Sequence, residues 1–298
     1  MATAAEHQRS MSTGALELAD AAIRSCLTRA DRTAAELDLL INAGVFHDKI
    51  LSEPAFASLI QEDIGANLSH GAGAGAAAAA GHGTFSFDVY NGACGLLTGI
   101  HLIDGMLASG TVKLGMVVAS DMDPEPGVSV GFAFPGVGGA VLLSADDSRA
   151  GFTAFEFATF PEFAELFESY VAWQDDSRGG PDGYGRNTLT VEIAGSYVNS
   201  ALECAEPTVR KLAAAQALNF DEVDLLIANA SVPEFAERLA RRLGISTART
   251  ASFPEDLVGA HTAAPAVALE SLGIAAGTTA LFVCAGAGIT VAVALYLG

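Results

Sequence analysis

Along the chain, segments in which hydrophobic residues have helical spacing alternate with continuous hydrophobic runs. Apolar positions recur every three or four residues in 15–30 and again in 196–218, which predicts two helices with one buried face each. Each is followed by a short acidic link and an apolar run, ELDLLINAG at 36–44 and EVDLLIANA at 222–230. Such runs are typical of strands buried on both faces. The same order of helix, link and strand therefore occurs twice.

The similarity between the two copies continues downstream. The first copy is followed by an apolar helix within 85–110, opened by a turn of small residues, and by an apolar strand at 112–120. The second is followed by a comparable turn and helix within 253–273 and by a strand at 279–288. Strands that alternate with helices in this way predict an α/β fold with layered sheets covered by helices.

A segment rich in aromatic residues separates the two copies. We predict an N-terminal half at 1–150, a connecting segment at 151–190 and a C-terminal half at 191–298. The connecting segment ends in a polar loop at 174–187. We interpret its aromatic side chains as core and subunit contacts, with a substrate pocket or partner surface as the alternative. They are Phe152, Phe155, Phe157, Phe160, Phe163, Phe167, Tyr170 and Trp173.

Two apolar segments could be mistaken for membrane segments. The Gly- and Ala-rich run 71–83 is too short to span a bilayer, so we predict a loop with a helical turn. The tail 278–298 is long enough, but it is rich in β-branched residues and carries Gly286 and Gly288 in its middle. We favour two buried strands joined at a Gly-rich turn over a membrane helix. The sequence thus predicts no membrane partner.

Composition and charge exclude several classes of protein. Of 298 residues, 51% are hydrophobic and 17% are charged, which excludes a disordered chain. Thirty-five acidic against 15 basic residues give a net charge of −20, which repels phosphate backbones and excludes a nucleic-acid partner. Four cysteines lie far apart and no signal peptide is evident, so we expect a cytoplasmic protein without disulfides. No metal-ligand spacing is found at His47, His70, His82 or His101.

One cysteine stands where a predicted strand runs into a helix. Cys94 lies in DVYNGACGLLTG (88–99), next to a helix that begins near Gly95. The N–H groups and positive dipole end of a helix favour a thiolate and lower the pKa of a thiol. The matching turn of the second half carries His261. A buried structural thiol is the alternative for Cys94, and a capping or polar-network histidine is the alternative for His261.

These segments resemble the thiolase superfamily, in particular its β-ketoacyl-ACP synthase III branch. The resemblance runs from about residue 14 onward, and the cysteine segment is its most specific part. It implies a thiolase fold with a layered α-β-α-β-α architecture. It also implies an enzyme that takes an acyl group from CoA or acyl carrier protein onto its cysteine, without a further cofactor. Besides the cysteine segment, the resemblance is carried by 111–121, 136–143, 224–246 and 284–288.

The resemblance also implies roles for individual residues. Synthase III enzymes have His where this chain has Asn229 and Asn where it has His261, whereas thiolases have the order seen here. Carried over, Cys94 is the nucleophile, His261 its activating base and Asn229 an oxyanion donor. Cys284 resembles the second catalytic cysteine of thiolases and would be an acid/base. The backbone N–H groups of Cys94 and Gly286 are candidate oxyanion donors, each worth about 3 kcal/mol if well placed.

Structural roles remain open for two of these residues, and two departures concern the acyl donor. Asn229 also fits a turn or cap at a strand end, and Cys284 also fits a core position. The family's first strand and a segment that helps to bind CoA are expected to be missing. The basic residue with which synthase III enzymes dock carrier protein falls at Glu234. Free acyl-CoA, or a carrier held by another subunit, is therefore the expected donor.

The sequence predicts a cytoplasmic acyl-transferring enzyme that forms a thioester on Cys94 and delivers the acyl group to carbon in a Claisen condensation. Delivery to an oxygen or nitrogen nucleophile is the first alternative. The second is a catalytically silent subunit that supports an active paralogue. The resemblance accordingly implies a homodimer or a heterodimer.

Overall fold

The fold is built from six α-helices and eleven strands in the residues that this computed structural model describes, 1–7, 14–47, 53–66, 83–145, 150–174, 186–229 and 231–298. The helices are α1 (Ala15–Arg29), α2 (Phe56–Ile64), α3 (Gly95–Ala108), α4 (Tyr197–Ala215), α5 (Phe235–Leu243) and α6 (Ala264–Leu272). The strands are β1 (Ala2–His7), β2 (Leu39–Asn42), β3 (Phe85–Asp88), β4 (Leu114–Asp121), β5 (Val137–Ser144), β6 (Gly151–Thr159), β7 (Phe167–Gln174), β8 (Arg186–Ile193), β9 (Leu225–Asn229), β10 (Thr279–Gly286) and β11 (Thr290–Leu297).

Two sheets share one strand order, which confirms the predicted duplication. The first sheet has the order β1-β5-β4-β2-β3 and the second β6-β11-β10-β9. In both, a parallel pair (β2 with β4, β9 with β10) is followed by two antiparallel strands. The place of β3 is taken in the second half by a single bridge between Leu226 and Thr250.

The two sheets and the helices that cover them form five layers. Helices α1 and α2 pack on the outer face of the first sheet, and α4 and α5 on the outer face of the second. Helices α3 and α6 lie together between the sheets. Because both faces of each sheet are covered, β4 is buried along its whole length and β10 along nearly all of it. The predicted α-β-α-β-α architecture is confirmed.

Strand β6 opens the second half and takes the place that β1 has in the first. Residues 151–159 pair along β11, so the first part of the predicted connecting segment belongs to a central sheet. The later part forms a separate hairpin of β7 and β8. Aromatic residues of β6 such as Phe155 and Phe157 alternate with small or charged ones, as in a half-buried strand.

The two ends of the chain are both strands in central sheets. Strand β1 pairs antiparallel with β5, so the expectation that the family's first strand is missing is wrong. Residues 278–298 form β10 and β11 around a turn, as predicted. Among the described residues, no helix is both long enough and apolar enough to span a bilayer. The predicted loop at 71–83, except for its last residue, lies outside the described residues, as do His70, His82 and most of 174–187.

Two glycines allow α3 to approach the first sheet closely. A Cβ on Gly95 would lie 2.9 Å from the carbonyl oxygen of Ala43, and one on Gly99 would lie 2.5 Å from a methyl carbon of Val117. Contacts this short have no room for a side chain. The helix is therefore seated directly on β2 and β4, which fixes the position of Cys94 at its first turn.

One half-buried carboxyl group of α1, that of Asp20, is expected to reduce stability. Burial and the nearby Asp63 raise the pKa of Asp20 to about 7, and its Oδ1 has no hydrogen-bond partner in the described part of the chain. A raised pKa stabilises the fold below the ordinary pKa of the acid, and this stability is lost as the pH rises toward 7. The substitution Asp20→Asn should therefore raise the free energy of unfolding by about 2 kcal/mol at pH 8, and by less at pH 4.5.

Urea unfolding at both pH values measures this difference. Glu62→Gln is the matched control, because it removes one negative charge from an exposed site on the neighbouring helix. An equal gain in both variants, or a gain that does not grow with pH, would contradict the effect of burial on Asp20.

Candidate active site

Cys94 lies at the junction between β3 and α3, as the last residue of a short 3-10 turn at Gly92–Cys94. Its side chain is fully buried and points toward the second half of the molecule. Sγ lies 3.4 Å from the carbonyl oxygen of Cys284 on β10 and 3.3 Å from that of Thr290 on β11. The thiol of one half therefore donates its proton to the main chain of the other.

The thiol of Cys94 is held in its protonated form. Burial raises its pKa to about 12, against the smaller opposing effect of main-chain hydrogen bonds at Ala292 and Gly286. The sequence alone predicted a lowered pKa from the helix N-terminus. Desolvation outweighs the helix dipole here because the side chain of Cys94 has no exposed surface.

His261 lies in an aromatic environment just before α6. Its ring stacks on Phe134 at a centroid distance of 4.7 Å, with Phe46 at 5.4 Å and Phe167 at 5.9 Å. Burial lowers the pKa of His261, although Asp121 opposes this effect. The imidazole is therefore neutral at pH 7.

The imidazole faces the turn that carries the cysteine. A Cβ built on Gly92 would lie 3.9 Å from both Cε1 and Nε2 of His261 and 3.8 Å from the backbone nitrogen of Ala287. The positive φ of Gly92 (48°) is of the kind that favours glycine. The structure thus brings the Nε2 edge of the ring to the start of the turn that ends at Cys94.

Asn229 and Ser231 hold the other side of His261. The side chain of Asn229 donates from Nδ2 to the carbonyl oxygen of His261 (3.0 Å) and accepts at Oδ1 from the N–H of Ser231 (2.9 Å). The hydroxyl of Ser231 lies 2.6 Å from Nδ1 of His261. The structure thus joins Asn229 and His261 directly, and the amide is engaged with the main chain on both sides.

A buried carboxylate at the end of β4 ties the two halves together at the site. Oδ1 of Asp121 accepts from the N–H groups of Val45 and Phe46, each at 2.9 Å. Oδ2 accepts from the N–H of Thr262 at 3.0 Å and from its hydroxyl. Asp121 therefore positions Phe46 of the aromatic environment and the residue next to His261.

The two predicted oxyanion donors differ in their surroundings. The N–H of Cys94 donates to the carbonyl oxygen of Asn91 at 3.0 Å, so it is already engaged. The main chain of Gly286 faces the thiol, because a Cβ on this residue would lie 3.8 Å from Sγ. Gly286 is thus the better placed of the two.

Cys284 lies in the same buried layer as Cys94. It pairs in register with Asn229 on β9 and with Ala292 on β11. Burial, with Cys94 nearby, raises the pKa of its thiol well above the usual range. All four side chains singled out from the sequence therefore lie in one region, but Cys284 has the surroundings of a core residue.

The other singled-out side chains lie mostly outside this region. His47 is buried and stacks on Phe56, and its Nε2 lies 2.9 Å from the carbonyl oxygen of Gly44. These contacts indicate a structural role. His101 contacts aromatic residues of β6. Among the described aromatic residues of the connecting segment, Phe167 is the one whose ring contacts His261. In the ranges that the structure describes, no group of three or more His, Cys, Asp or Glu could hold a metal ion.

A cavity of about 280 Å³ adjoins the site on the side of the second sheet. It lies between α5 and the loop that follows, and Asn229 forms part of its wall. Thr250 lines it, and the buried hydroxyl of this residue has no hydrogen-bond partner among the described residues. None of the described lining residues is basic.

Sequence reasoning missed Ser231, Asp121 and two of the phenylalanines around His261, Phe46 and Phe134. The segments that contain Asp121 and Ser231 were recognised as part of the family resemblance, yet neither residue follows a chemical motif. Their roles depend on tertiary contacts with the loop that carries His261.

No protein-family model and no curated protein matches the sequence. Solved structures do match the fold. A 3-oxoacyl-(acyl-carrier-protein) synthase III has a TM-score of 0.78 at 15% identity, over 97% of this chain and 86% of that one. OleA of Xanthomonas campestris, in a structure with bound lauric acid and lauroyl-CoA, has a TM-score of 0.78 at 16% identity, over 97% and 84%.

A third structure, 3-oxoacyl-[acyl-carrier-protein] synthase III of Aquifex aeolicus VF5, covers 100% of this chain and 98% of its own, with a TM-score of 0.74 at 17% identity. Likeness at this level of identity establishes the fold. The chain therefore has the thiolase fold of these proteins, which confirms the fold that the resemblance implied.

Proposed function

We propose that this protein is an acyl-transferring, condensing enzyme in which Cys94 carries the acyl group as a thioester. One observation carries the proposal: the thiol at the first turn of α3 meets the main chain of β10 and β11, and the imidazole of His261 faces the same turn. A nucleophile from one half and polar groups from the other are what acyl transfer requires.

The first half-reaction is an exchange of thioesters. The sulfur of Cys94 attacks the carbonyl carbon of an acyl thioester, a new carbon–sulfur bond forms, and the bond to the departing thiol breaks. Cys94 loses one proton and the departing thiol gains one, so the exchange needs no oxidant or reductant. The main chain of Gly286 is the nearest candidate to stabilise the oxyanion, because it faces the sulfur.

The second half-reaction delivers the acyl group to a carbon nucleophile: a new carbon–carbon bond forms, the bond between the acyl carbon and the sulfur of Cys94 breaks, and the sulfur regains a proton in place of the one that the nucleophilic carbon lost. The carbonyl oxygen next to the nucleophilic carbon carries negative charge once that carbon has lost its proton. Hydrogen-bond donors at this oxygen stabilise the transition state. Asn229 and His261 are the donors that we propose. Delivery to an oxygen or nitrogen nucleophile would use the same acyl-enzyme and is the alternative reaction.

The net charge of the protein affects which acyl donor can approach it. A net charge of −20 disfavours the approach of an acidic carrier protein, unless another subunit with basic residues intervenes. The cavity beside Asn229 is walled mainly by apolar and hydroxyl side chains and has no basic lining. It suits the uncharged arm of a thioester donor and not its phosphates. We therefore favour free acyl-CoA, or a carrier held by a partner subunit.

A second candidate function is favoured by the burial of the thiol. Cys94 has no exposed surface and its pKa is raised to about 12, as for a structural cysteine. A catalytically silent subunit of a heterodimer, with an active paralogue as its partner, would retain the fold in this state. In the enzyme, by contrast, entry of the donor must first open the site.

Intact-mass spectrometry with a panel of acyl-CoAs and acyl-carrier thioesters tests the proposal. We expect one acyl mass on the wild-type protein and none on Cys94→Ala. Cys284→Ala is the matched control, because it removes a second buried thiol from the same layer and should keep the adduct. Circular dichroism verifies that both variants are folded.

The absence of an adduct on folded wild-type protein with every donor would contradict the enzyme and favour the silent subunit. Sizing alone and with a paralogue then tests that alternative, since a stable homodimer would argue against it. An adduct that persists in Cys94→Ala would place the nucleophile elsewhere.

A further inference from the structure

We infer that Ser231 fixes the tautomer of His261, so that the imidazole carries its proton on Nε2 and faces the cysteine turn as a hydrogen-bond donor. Ser231 is thus a positioning residue. The catalytic use of this N–H rests on the proposed function, but the tautomer itself does not, and it can be measured without any substrate.

The contact between the two residues is short and buried. The hydroxyl oxygen of Ser231 lies 2.6 Å from Nδ1 of His261, and the exposed fractions of the residues are 8% and 2%. No other ring nitrogen lies within hydrogen-bonding distance of this hydroxyl in the described chain. The ring of Phe134 stacks on one face of the imidazole.

Counting the protons of the two groups shows which of them donates in this hydrogen bond. A neutral imidazole has one N–H and one bare nitrogen. If Nδ1 carried the proton, it would donate to Ser231, and the hydroxyl proton would then need a second acceptor. Among the described residues, the only partner of this hydroxyl is Nδ1. If the hydroxyl donates to Nδ1, its proton has an acceptor and the bare nitrogen has a donor, and the N–H at Nε2 is the one donor left for a substrate.

The main chain around Ser231 is held in a conformation that serves this contact. Its φ is +58°, a left-handed value that costs a residue other than glycine about 1 kcal/mol. The side chain of Asn229 holds both the N–H of Ser231 and the carbonyl group of His261. Strain of this kind persists where the surrounding structure over-determines it, often at functional sites. One amide thus places the hydroxyl against the ring.

The consequence concerns the role of His261. With Nδ1 occupied as an acceptor, the proton on Nε2 lies at the edge of the ring that faces Gly92. An N–H there can donate to a substrate oxygen, but it cannot take the proton of Cys94. The role of activating base, which the family resemblance implied for His261, is therefore replaced by that of an oxyanion donor in the condensation step.

Nitrogen NMR of protein labelled with ¹⁵N-histidine tests the inference directly. We expect a pyrrole-type shift for Nε2 and an imine-type shift for Nδ1 of His261 at pH 7.5, assigned by their loss in His261→Gln. In Ser231→Gly, which removes the hydroxyl and relaxes the positive φ, both shifts should move toward the average of the two tautomers. Shifts of the other described histidines are the internal control for an intact fold.

Ser231→Ala provides the second variant, because it removes the hydroxyl but keeps the unfavourable φ. Agreement between the two variants assigns the change to the hydroxyl and not to the backbone. A pyrrole-type Nδ1 in the wild type would overturn the inference. So would a wild-type pattern that is unchanged in both variants.

Kinetics separates this inference from the proposed function. If Cys94 is acylated, transfer from the preformed acyl-enzyme should slow about tenfold in Ser231→Gly, since the N–H donor is present only part of the time. The rate of acylation should change little. Failure to form any acyl-enzyme would contradict the proposed function while leaving the NMR result decisive for the tautomer.

Discussion

Iodoacetamide should alkylate Cys94 in the resting protein about a thousandfold more slowly at pH 8 than it alkylates a free cysteine. The thiolate is the reactive form, and burial raises the pKa of this thiol to about 12. At pH 8 only about one molecule in ten thousand then carries the thiolate, and the rate should rise close to tenfold for each pH unit. Access adds to the protection, because the side chain has no exposed surface.

Mass spectrometry of the digested protein measures the labelling rate of each cysteine separately. The other three thiols are also buried, so they report on global unfolding. Equal rates at all four would mean that reagent enters only through the unfolded state. Rapid labelling confined to Cys94 near neutral pH would instead show that Cys94 is a thiolate, as the helix N-terminus alone predicts. Protection of Cys94 that weakens when a donor analogue binds would support opening of the site.

Replacing Asp121 by alanine should lower the free energy of unfolding by about 4 kcal/mol. Its carboxylate accepts four hydrogen bonds, from the N–H groups of Val45 and Phe46 and from the N–H and hydroxyl of Thr262. Each donor left without a partner in a buried position costs about 1–3 kcal/mol. Rearrangement of the donors recovers only part of this cost, because Asp121 and Thr262 are fully buried.

Urea or guanidinium unfolding gives the free energies for this comparison. Asp123→Ala is the matched control, since it removes the same charge two residues away, where the side chain is only partly buried and accepts one N–H, from Glu125. Thr262→Val should cost less than Asp121→Ala, because it removes one of the four donors. A loss below about 1 kcal/mol in Asp121→Ala would show that the donors find other partners.

Much of the fold could be predicted from the chain because it depends on local pattern. The repeated helix, acidic link and apolar strand gave the two halves, and β-branched residues around Gly286 and Gly288 gave β10 and β11 correctly. Strand β6 was assigned to a connection, since its aromatic residues suggested a cluster. Its partner is β11, almost 140 residues later, and no local signal records that pairing.

The sequence could predict which residues lie at the site, but not their pKa shifts or hydrogen bonds. Residue types and a family resemblance drew attention to Cys94, His261 and Asn229, which the structure brings into one region. The pKa of the thiol depends on how completely the opposite sheet covers it. The roles of Ser231 and Asp121 depend on contacts across long sequence separations. Desolvation and hydrogen bonding of this kind are properties of the assembled molecule.

The layer shared by α3 and α6 has a consequence for how such proteins can diversify. Residues of the two halves interlock there: a Cβ on Gly139 of β5 would lie 2.6 Å from that of Ala266 on α6. Consider a gene fusion that combines the first half of this chain with the second half of a paralogue. Its side-chain volumes would have to match where the two halves pack together before it could assemble a site. Compensating substitutions in α3 and α6 should accordingly arise in pairs, and recombination near residue 150 should be tolerated only between closely related parents.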